Sequence, residues 1–136
     1  MPKGCISIPV DRHSDDRGEL SVLTNNLPEN FQLSRIYYVK NLPNGLKRGV
    51  HAHRVQTQVL FVLKGEITVI IDDGKDNYTM VISEKSSGLL IGPLTWCTID
   101  TRDENSIYII IANGPYNQSE YITDYGEFKH LRQWFK

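Results

Sequence analysis

Two histidines one residue apart, His51 and His53, are the residues in this chain of 136 best suited to chemistry. On a β-strand the side-chain period is two, so both imidazoles face the same side. Imidazole titrates near neutrality and is a common metal ligand, so such a pair suits either proton transfer or a bound cation. A pair of satisfied polar side chains in a pocket wall is the reading a lone buried histidine would invite, but a pair in a motif beside Arg48 favours proton transfer. Gln58 follows closely in sequence, and Arg35 and Tyr37 lie two apart on an earlier apolar run. Tyr37 can be a donor to a bound oxygen or a core aromatic with a wet hydroxyl. On a regular strand Arg48 falls outside the parity of His51, and a bulge at Gly49 would turn it inward.

Such groups need a rigid support, and composition says which kind. The chain holds 14 Ile, 9 Val and 8 Thr but only two Ala. β-Branched residues suit a pleated surface and alanine suits helices, which argues against a helical bundle and against a doubly wound α/β fold. A hydrophobic fraction of 40% with 23% charged residues excludes disorder. Short β-rich runs cover Cys5–Val10, Glu19–Thr24, Ser34–Lys40, Thr57–Leu63, Glu66–Asp72, Tyr78–Ser83, Gly88–Ile91, Trp96–Thr101 and Ser106–Asn113. Turn residues at 43–45, 64–65, 72–74 and 92–93 separate them. The rhythm predicts a sandwich or barrel rather than βαβ units. Ile107–Ala112 is almost continuously apolar, as expected of a strand buried on both faces. Phe128, Leu131, Trp134 and Phe135 recur at roughly helical spacing, which predicts a short C-terminal helix docked on the body. No repeat or linker interrupts the pattern, so the reading is one all-β domain over residues 1–136.

Charge narrows the partners. Fifteen Lys and Arg against sixteen Asp and Glu leave a net charge of −1, too little field for a nucleic acid. An anionic ligand would have to be met by a local cluster of arginines. No run approaches the ~18 apolar residues of a membrane span, and the first residues lack a signal-peptide core. Cys5 and Cys97 have no zinc-like spacing, so both are expected as free thiols in a reducing cytoplasm.

The stretch Gly45-x5-His51-x-His53-x4-Gln58-x6-Gly65 resembles the first cupin motif, with Gln58 where the acid should be. That resemblance implies a double-stranded β-helix, or jelly roll, with the histidine pair facing inward. The second cupin motif would place a further histidine near Thr98, and none is present. Two imidazoles without the third histidine or the carboxylate make a poor site for a transition metal, so no metal is expected.

Other segments narrow the resemblance to one family. Asp15-Asp16-Arg17-Gly18-Glu19-Leu20, Arg35-Ile-Tyr37-Tyr38, Arg48-Gly-x-His51-Ala-His53, Leu89-Leu-Ile-Gly-Pro93-Leu-Thr-Trp96 and Tyr116-x4-Tyr121-Ile-x-Asp124-Tyr125-x2-Phe128 occur in order along almost the whole chain. Together they resemble the dTDP-4-keto-6-deoxyglucose 3,4-ketoisomerases, also described as WxcM-like C-terminal cupins. Thr123, in place of a basic residue, and Cys97 after Trp96 depart from the family pattern.

The resemblance implies a homodimeric bacterial enzyme that needs no cofactor and acts on a dTDP-linked 4-keto-6-deoxy sugar. It would move the carbonyl from C4 to C3 on the way to 3-amino-3,6-dideoxyhexoses of surface glycans. Such a reaction needs a base for the C3 proton, an acid at C4 and donors for the developing oxyanion. By resemblance His51 is the base, His53 its partner or second proton carrier, and Tyr37 a donor to a sugar oxygen. Arg48, Arg17, Arg35, Gln58 and Cys97 are implied around the substrate. The galacto product is favoured by Arg17, while Cys97 gives no indication. For the nucleotide end, Arg102 and Arg54 are candidates for the pyrophosphate, with Trp96 or Tyr121 as an aromatic wall. His13 and His130 carry no motif and read as surface residues. A jelly-roll epimerase and a non-catalytic sugar-binding cupin remain the competing functions.

Overall fold

The computed structural model describes residues 1–135. Among them strands run over Cys5–Ile8 (β1), Asp11–Asp15 (β2), Gly18–Val22 (β3), Arg35–Lys40 (β4), Lys47–His53 (β5), Gln58–Lys64 (β6), Glu66–Asp72 (β7), Asn77–Ser83 (β8), Gly88–Ile91 (β9), Trp96–Thr101 (β10), Ile107–Ala112 (β11) and Tyr121–Ile122 (β12). A helix, α1, spans Tyr125–Arg132, after a single 3-10 turn at Gln118–Glu120. One sheet has the order β1-β9-β6-β11-β4 and a second β12-β5-β10-β7-β8, while β2 and β3 form a separate hairpin. Every pairing is antiparallel.

Alternation explains why these runs become strands and why the sheets stack. Along β7 the residues Ile67, Val69 and Ile71 are fully buried while their neighbours are only half-buried. They meet Leu60 and Val62 of β6 and Tyr108 and Ile110 of β11 in one core shared by both sheets. Each such aliphatic side chain, fully buried, contributes about 1.5–3 kcal/mol. Strand β11 lies between β6 and β4, and its outward residue Ile111 is buried in a second cluster with Ile8, Val59, Phe61 and Leu90. The expectation for Ile107–Ala112 therefore holds. This double-sheet arrangement is the cupin jelly roll.

Several boundaries differ from the sequence reading. β1 stops at Ile8 because Pro9 has no N–H for the ladder. β2 carries no apolar alternation, so pattern alone does not reveal it. β1 forms one edge of its sheet, paired with β9 from Cys5 to Ile8. The tail helix is present, capped by the Asp124 carboxylate, which accepts from the backbone N–H of Gly126 and Glu127. Phe128 anchors it at 0% exposure, whereas Trp134 stands 68% exposed and does not dock.

Candidate active site

Between the two sheets lies a cavity of about 600 Å³. One wall is β5 with β10, and the facing wall is β4 with β11 and the start of β6. The β5 wall depends on a bulge. Cys97 of β10 faces His51, yet the next residue, Thr98, faces Gly49, so Val50 is an extra residue on β5. Gly49 has φ of 78° and Val50 of 55°. A Cβ on Gly49 would meet the Cys97 carbonyl oxygen at 2.8 Å, so glycine is required there. The bulge resets the parity of β5 and brings Arg48 to the cavity along with His51 and His53.

His51 has a defined tautomer. Its Nδ1 lies 2.8 Å from the Gly49 carbonyl oxygen, which can only accept, so Nδ1 carries the proton. Nε2 is left with its lone pair towards the cavity. Loss of hydration lowers the His51 pKa from its ordinary value, and the bond to Gly49 offsets part of that. His53 is 7% exposed, and among the described residues the Gln58 side chain alone lies close to its ring nitrogens, without the geometry of a full hydrogen bond. Burial, and then the charges of His51 and Arg35, push its pKa down to about 3. At neutral pH both imidazoles are uncharged.

The C-terminal segment closes the site from behind. β12 pairs with the end of β5, Tyr121 opposite His53 and Ile122 opposite Ala52. The Tyr121 ring stands 4.8 Å from that of His51 and 4.7 Å from that of His53, with the two imidazoles 5.0 Å apart, centroid to centroid. Ala52 points the other way, fully buried with Trp96, Ile122 and Phe128. Glu120, 8% exposed, accepts from the backbone N–H of Val55 at 2.7 Å and of Gln56 at 2.6 Å. It thereby fixes the turn from His53 to Gln58.

On the facing wall Tyr37 donates to Gln58 Oε1 at 3.3 Å, while Gln58 Nε2 is buried without a partner. Burial, reinforced by Tyr121 and opposed by Arg35, pushes the Tyr37 pKa up to about 12, so the phenol stays a donor. Arg35 donates to the Tyr121 hydroxyl at 3.4 Å and to Gln56 Oε1 at 3.3 Å. Its guanidinium lies 5.2 Å from the Tyr37 ring and 5.8 Å from the Tyr116 ring, and its Nε has no partner. Among the described residues no carboxylate lines the cavity, whereas Arg35, Lys47 and Arg48 do. A cavity with this bias attracts an anion. Its donor set of two imidazoles and one amide does not fit a divalent cation, and no three His, Cys, Asp or Glu side chains converge among the described residues.

Of the residues singled out in the sequence, His51, His53, Tyr37, Arg48, Arg35, Gln58, Cys97 and Tyr121 line this one cavity. Cys97 is a free thiol whose pKa burial pushes up to about 12, which keeps it neutral and unreactive. Four others lie elsewhere. Trp96 is 8% exposed under α1, its ring 5.3 Å from Tyr125 and 5.5 Å from Phe128. Arg102 pairs with Glu66 at 3.3 Å on the surface. Arg17 sits at the tip of the β2–β3 hairpin, bound to Asp15 at 2.6 Å. Arg54 is outside as well, paired with Glu127. Lys47, Tyr108 and Tyr116 line the cavity and escaped the sequence reading. The parity of Tyr108 with Ile110 was the available signal for the first of the two tyrosines, and that of Lys47 with His51 and His53 was the signal for the lysine.

Comparison with known proteins agrees with this geometry. The family profile described as "FdtA: WxcM-like, C-terminal" matches residues 3–133. The chain is 31% identical over 115 residues to the TDP-4-oxo-6-deoxy-α-D-glucose-3,4-oxoisomerase of Aneurinibacillus thermoaerophilus, covering 85% of this chain and 83% of that one. Its fold superposes on a 3,4-ketoisomerase from Helicobacter canadensis with a TM-score of 0.88 at 29% identity, over 95% of this chain and 97% of the other. The WlaRB TDP-quinovose 3,4-ketoisomerase of Campylobacter jejuni gives 0.87 at 29% identity, over 95% and 99%.

Proposed function

The chain belongs to the WxcM-like, C-terminal (FdtA) family, and on that premise we propose that it is a sugar 3,4-ketoisomerase moving the carbonyl of dTDP-4-keto-6-deoxyglucose from C4 to C3. One observation carries the assignment of roles. His51 is pinned through Nδ1–H to the Gly49 carbonyl and turns a neutral, basic Nε2 towards the cavity. The C3 proton of the substrate is acidic because the C4 carbonyl accepts the charge, and Nε2 removes it. The resulting enediolate spreads its charge over two adjacent oxygens, and the phenol of Tyr37 faces it as a donor. The O3 hydroxyl proton passes to O4, and the imidazolium formed at His51 returns a proton to C4, leaving a C3 carbonyl and a C4 hydroxyl. His53, held neutral in a buried position, serves as a fixed neighbour of His51 rather than as a second carrier.

The cationic residues Arg35, Arg48 and Lys47 support a diphosphate-bearing substrate, and Tyr116 beside Arg35 offers a face on which a base can stack. Arg17, whose presence favours the 3-keto-6-deoxygalactose product, lies outside this chain's own cavity. It can bear on that choice only from a second copy. A homodimer is supported by exposed apolar side chains along edge strand β4, Ile36 at 57% and Tyr38 at 62%, and by Leu20 of the hairpin at 61%.

Incubation with dTDP-4-keto-6-deoxyglucose in deuterated water, with and without a chelator, tests the reaction by NMR. Migration of the carbonyl to C3 with deuterium at C4, unaffected by chelator, is the expected result, and the product's C4 configuration decides galacto against gluco. Deuterium entering C3 while the carbonyl stays at C4 would instead indicate an epimerase. Light scattering on the same sample reads the oligomeric state.

A further inference from the structure

The cavity contains a hydroxyl to which the reaction above gives no part. Tyr108 is the second residue of β11, the strand flanked by β6 and β4, and is only 2% exposed. Its ring is part of the core shared by the two sheets. Its side chain also lines the cavity, in phase with Ile110 and opposite in parity to Ile109 and Ile111, which pack on the outer face. The hydroxyl makes no hydrogen bond to any described residue. Nor is it among the buried polar atoms sealed away from any partner, so it opens into the cavity space.

A buried tyrosine normally gives its hydroxyl a partner, because an unmatched hydroxyl is worse than none at all. If packing alone chose this residue, phenylalanine would fill the same space without that penalty. A hydroxyl turned into a ligand cavity without a protein partner is therefore matched by something that enters the cavity. Its position says what. Val39 is opposite Tyr108 across the β4–β11 ladder and Ile110 is opposite Tyr37, so the two tyrosines are diagonal neighbours on one wall. They face the wall that carries His51 and Cys97, which are themselves opposite one another. A sugar held between the walls has the base on one side and two phenols on the other. Tyr37 already donates to Gln58 and must leave that bond to serve a ligand. Tyr108 needs no such exchange.

We propose that Tyr108 contacts the substrate directly, donating a hydrogen bond to an oxygen of the keto sugar, so that Tyr37 and Tyr108 together serve the two oxygens of the enediolate. The proposal rests on the ketoisomerase reading of the same cavity. Burial, the largest influence on its phenol, raises the Tyr108 pKa well above the ordinary value, against the nearby charge of Arg48, so it acts as a donor and not as a base.

Tyr108→Phe removes the oxygen and keeps the ring. In the active enzyme we expect kcat/KM for dTDP-4-keto-6-deoxyglucose to fall about 100-fold, with an unchanged thermal midpoint. A second arm reads binding without turnover, comparing His51→Asn with His51→Asn/Tyr108→Phe by calorimetry. The double variant should bind dTDP-4-keto-6-deoxyglucose about tenfold more weakly and dTDP alone within about twofold of the single variant. Turnover and sugar affinity both within twofold of the parent would overturn the contact. Equal losses for the sugar nucleotide and for dTDP, or a Tyr108→Phe chain that fails to fold, would overturn it too, by making the hydroxyl nucleotide-binding or structural. If wild-type protein moves no carbonyl, the ketoisomerase reading fails on its own, and the binding arm still decides whether Tyr108 touches the sugar.

Discussion

The cavity and the β2–β3 hairpin hold polar groups in opposite ways. In the cavity they are buried and incompletely matched: among the described residues both nitrogens of His53, the Gln58 amide nitrogen and Arg35 Nε make no hydrogen bond of full geometry. On the hairpin and its flank they are exposed and matched locally. Arg17 is bound to Asp15, and Asn25 and Asn26 donate to Asp11. Burying an unmatched polar group is costly, whereas an exposed ion pair gains little over its hydration. The difference teaches where stability has been given up for binding. It also explains why Arg17, bearing the same charge as Arg35, occupies so different a setting.

The sharpest break in the comparison is at His51. His51→Asn removes the lone pair that faces the cavity, and we expect kcat to drop about 1,000-fold or more with no loss of thermal stability. NMR time courses with a parallel melting curve measure both, and full activity would remove His51 from the mechanism. Tyr37→Phe should follow at about 100-fold in kcat, since one donor to the enediolate is lost while the ring remains. Glu120→Ala tests the opposite class of buried group, one whose bonds are complete. Losing the acceptor for the Val55 and Gln56 amides should lower unfolding free energy by about 2–3 kcal/mol in denaturant titrations.

Protonation gives a subtler separation. On the proposed mechanism the reacting form of His51 is neutral, and its pKa is lowered, so kcat/KM should rise with pH through a value below the free imidazole's ~6.5 and be flat at neutrality. For stability, His53 is about 3 when folded and near 6.5 when unfolded, so between those values the unfolded chain binds more protons. Its contribution is fully present above pH ~6.5 and is lost as pH falls towards 3. Acid unfolding of His53→Gln should show a shallower pH dependence than the parent. The smallest effect is expected at Arg17→Ala, with no change in the melting midpoint of the isolated chain at any salt concentration. A coupled fall in melting temperature and in oligomer mass would show that the hairpin meets a second copy.

The sequence made much of this legible. β-Branched abundance, the turn spacing and the apolar run at Ile107–Ala112 were enough for an antiparallel β fold, because alternation and burial act locally along a strand. The histidine pair was legible for the same reason, since a period of two puts His51 and His53 on one face wherever the strand lies. Trp96 shows where that logic ends. It belongs to β10, whose next residue, Cys97, lines the cavity, so its own side chain points to the opposite face and meets α1.

What the chain determined by itself was the kind of surface each segment presents: which side chains share a face, which glycines permit a turn, and which residue types can move a proton. What only tertiary structure decided was how those faces meet. The bulge at Gly49–Val50 turns Arg48 inward, the returning tail sets Tyr121 against both imidazoles, and packing of the sheets leaves Tyr108 with an unmatched hydroxyl. Each of these depends on contacts between residues far apart in sequence. Registers and bulges arise from steric fit between strands, and no periodicity within a single strand records them.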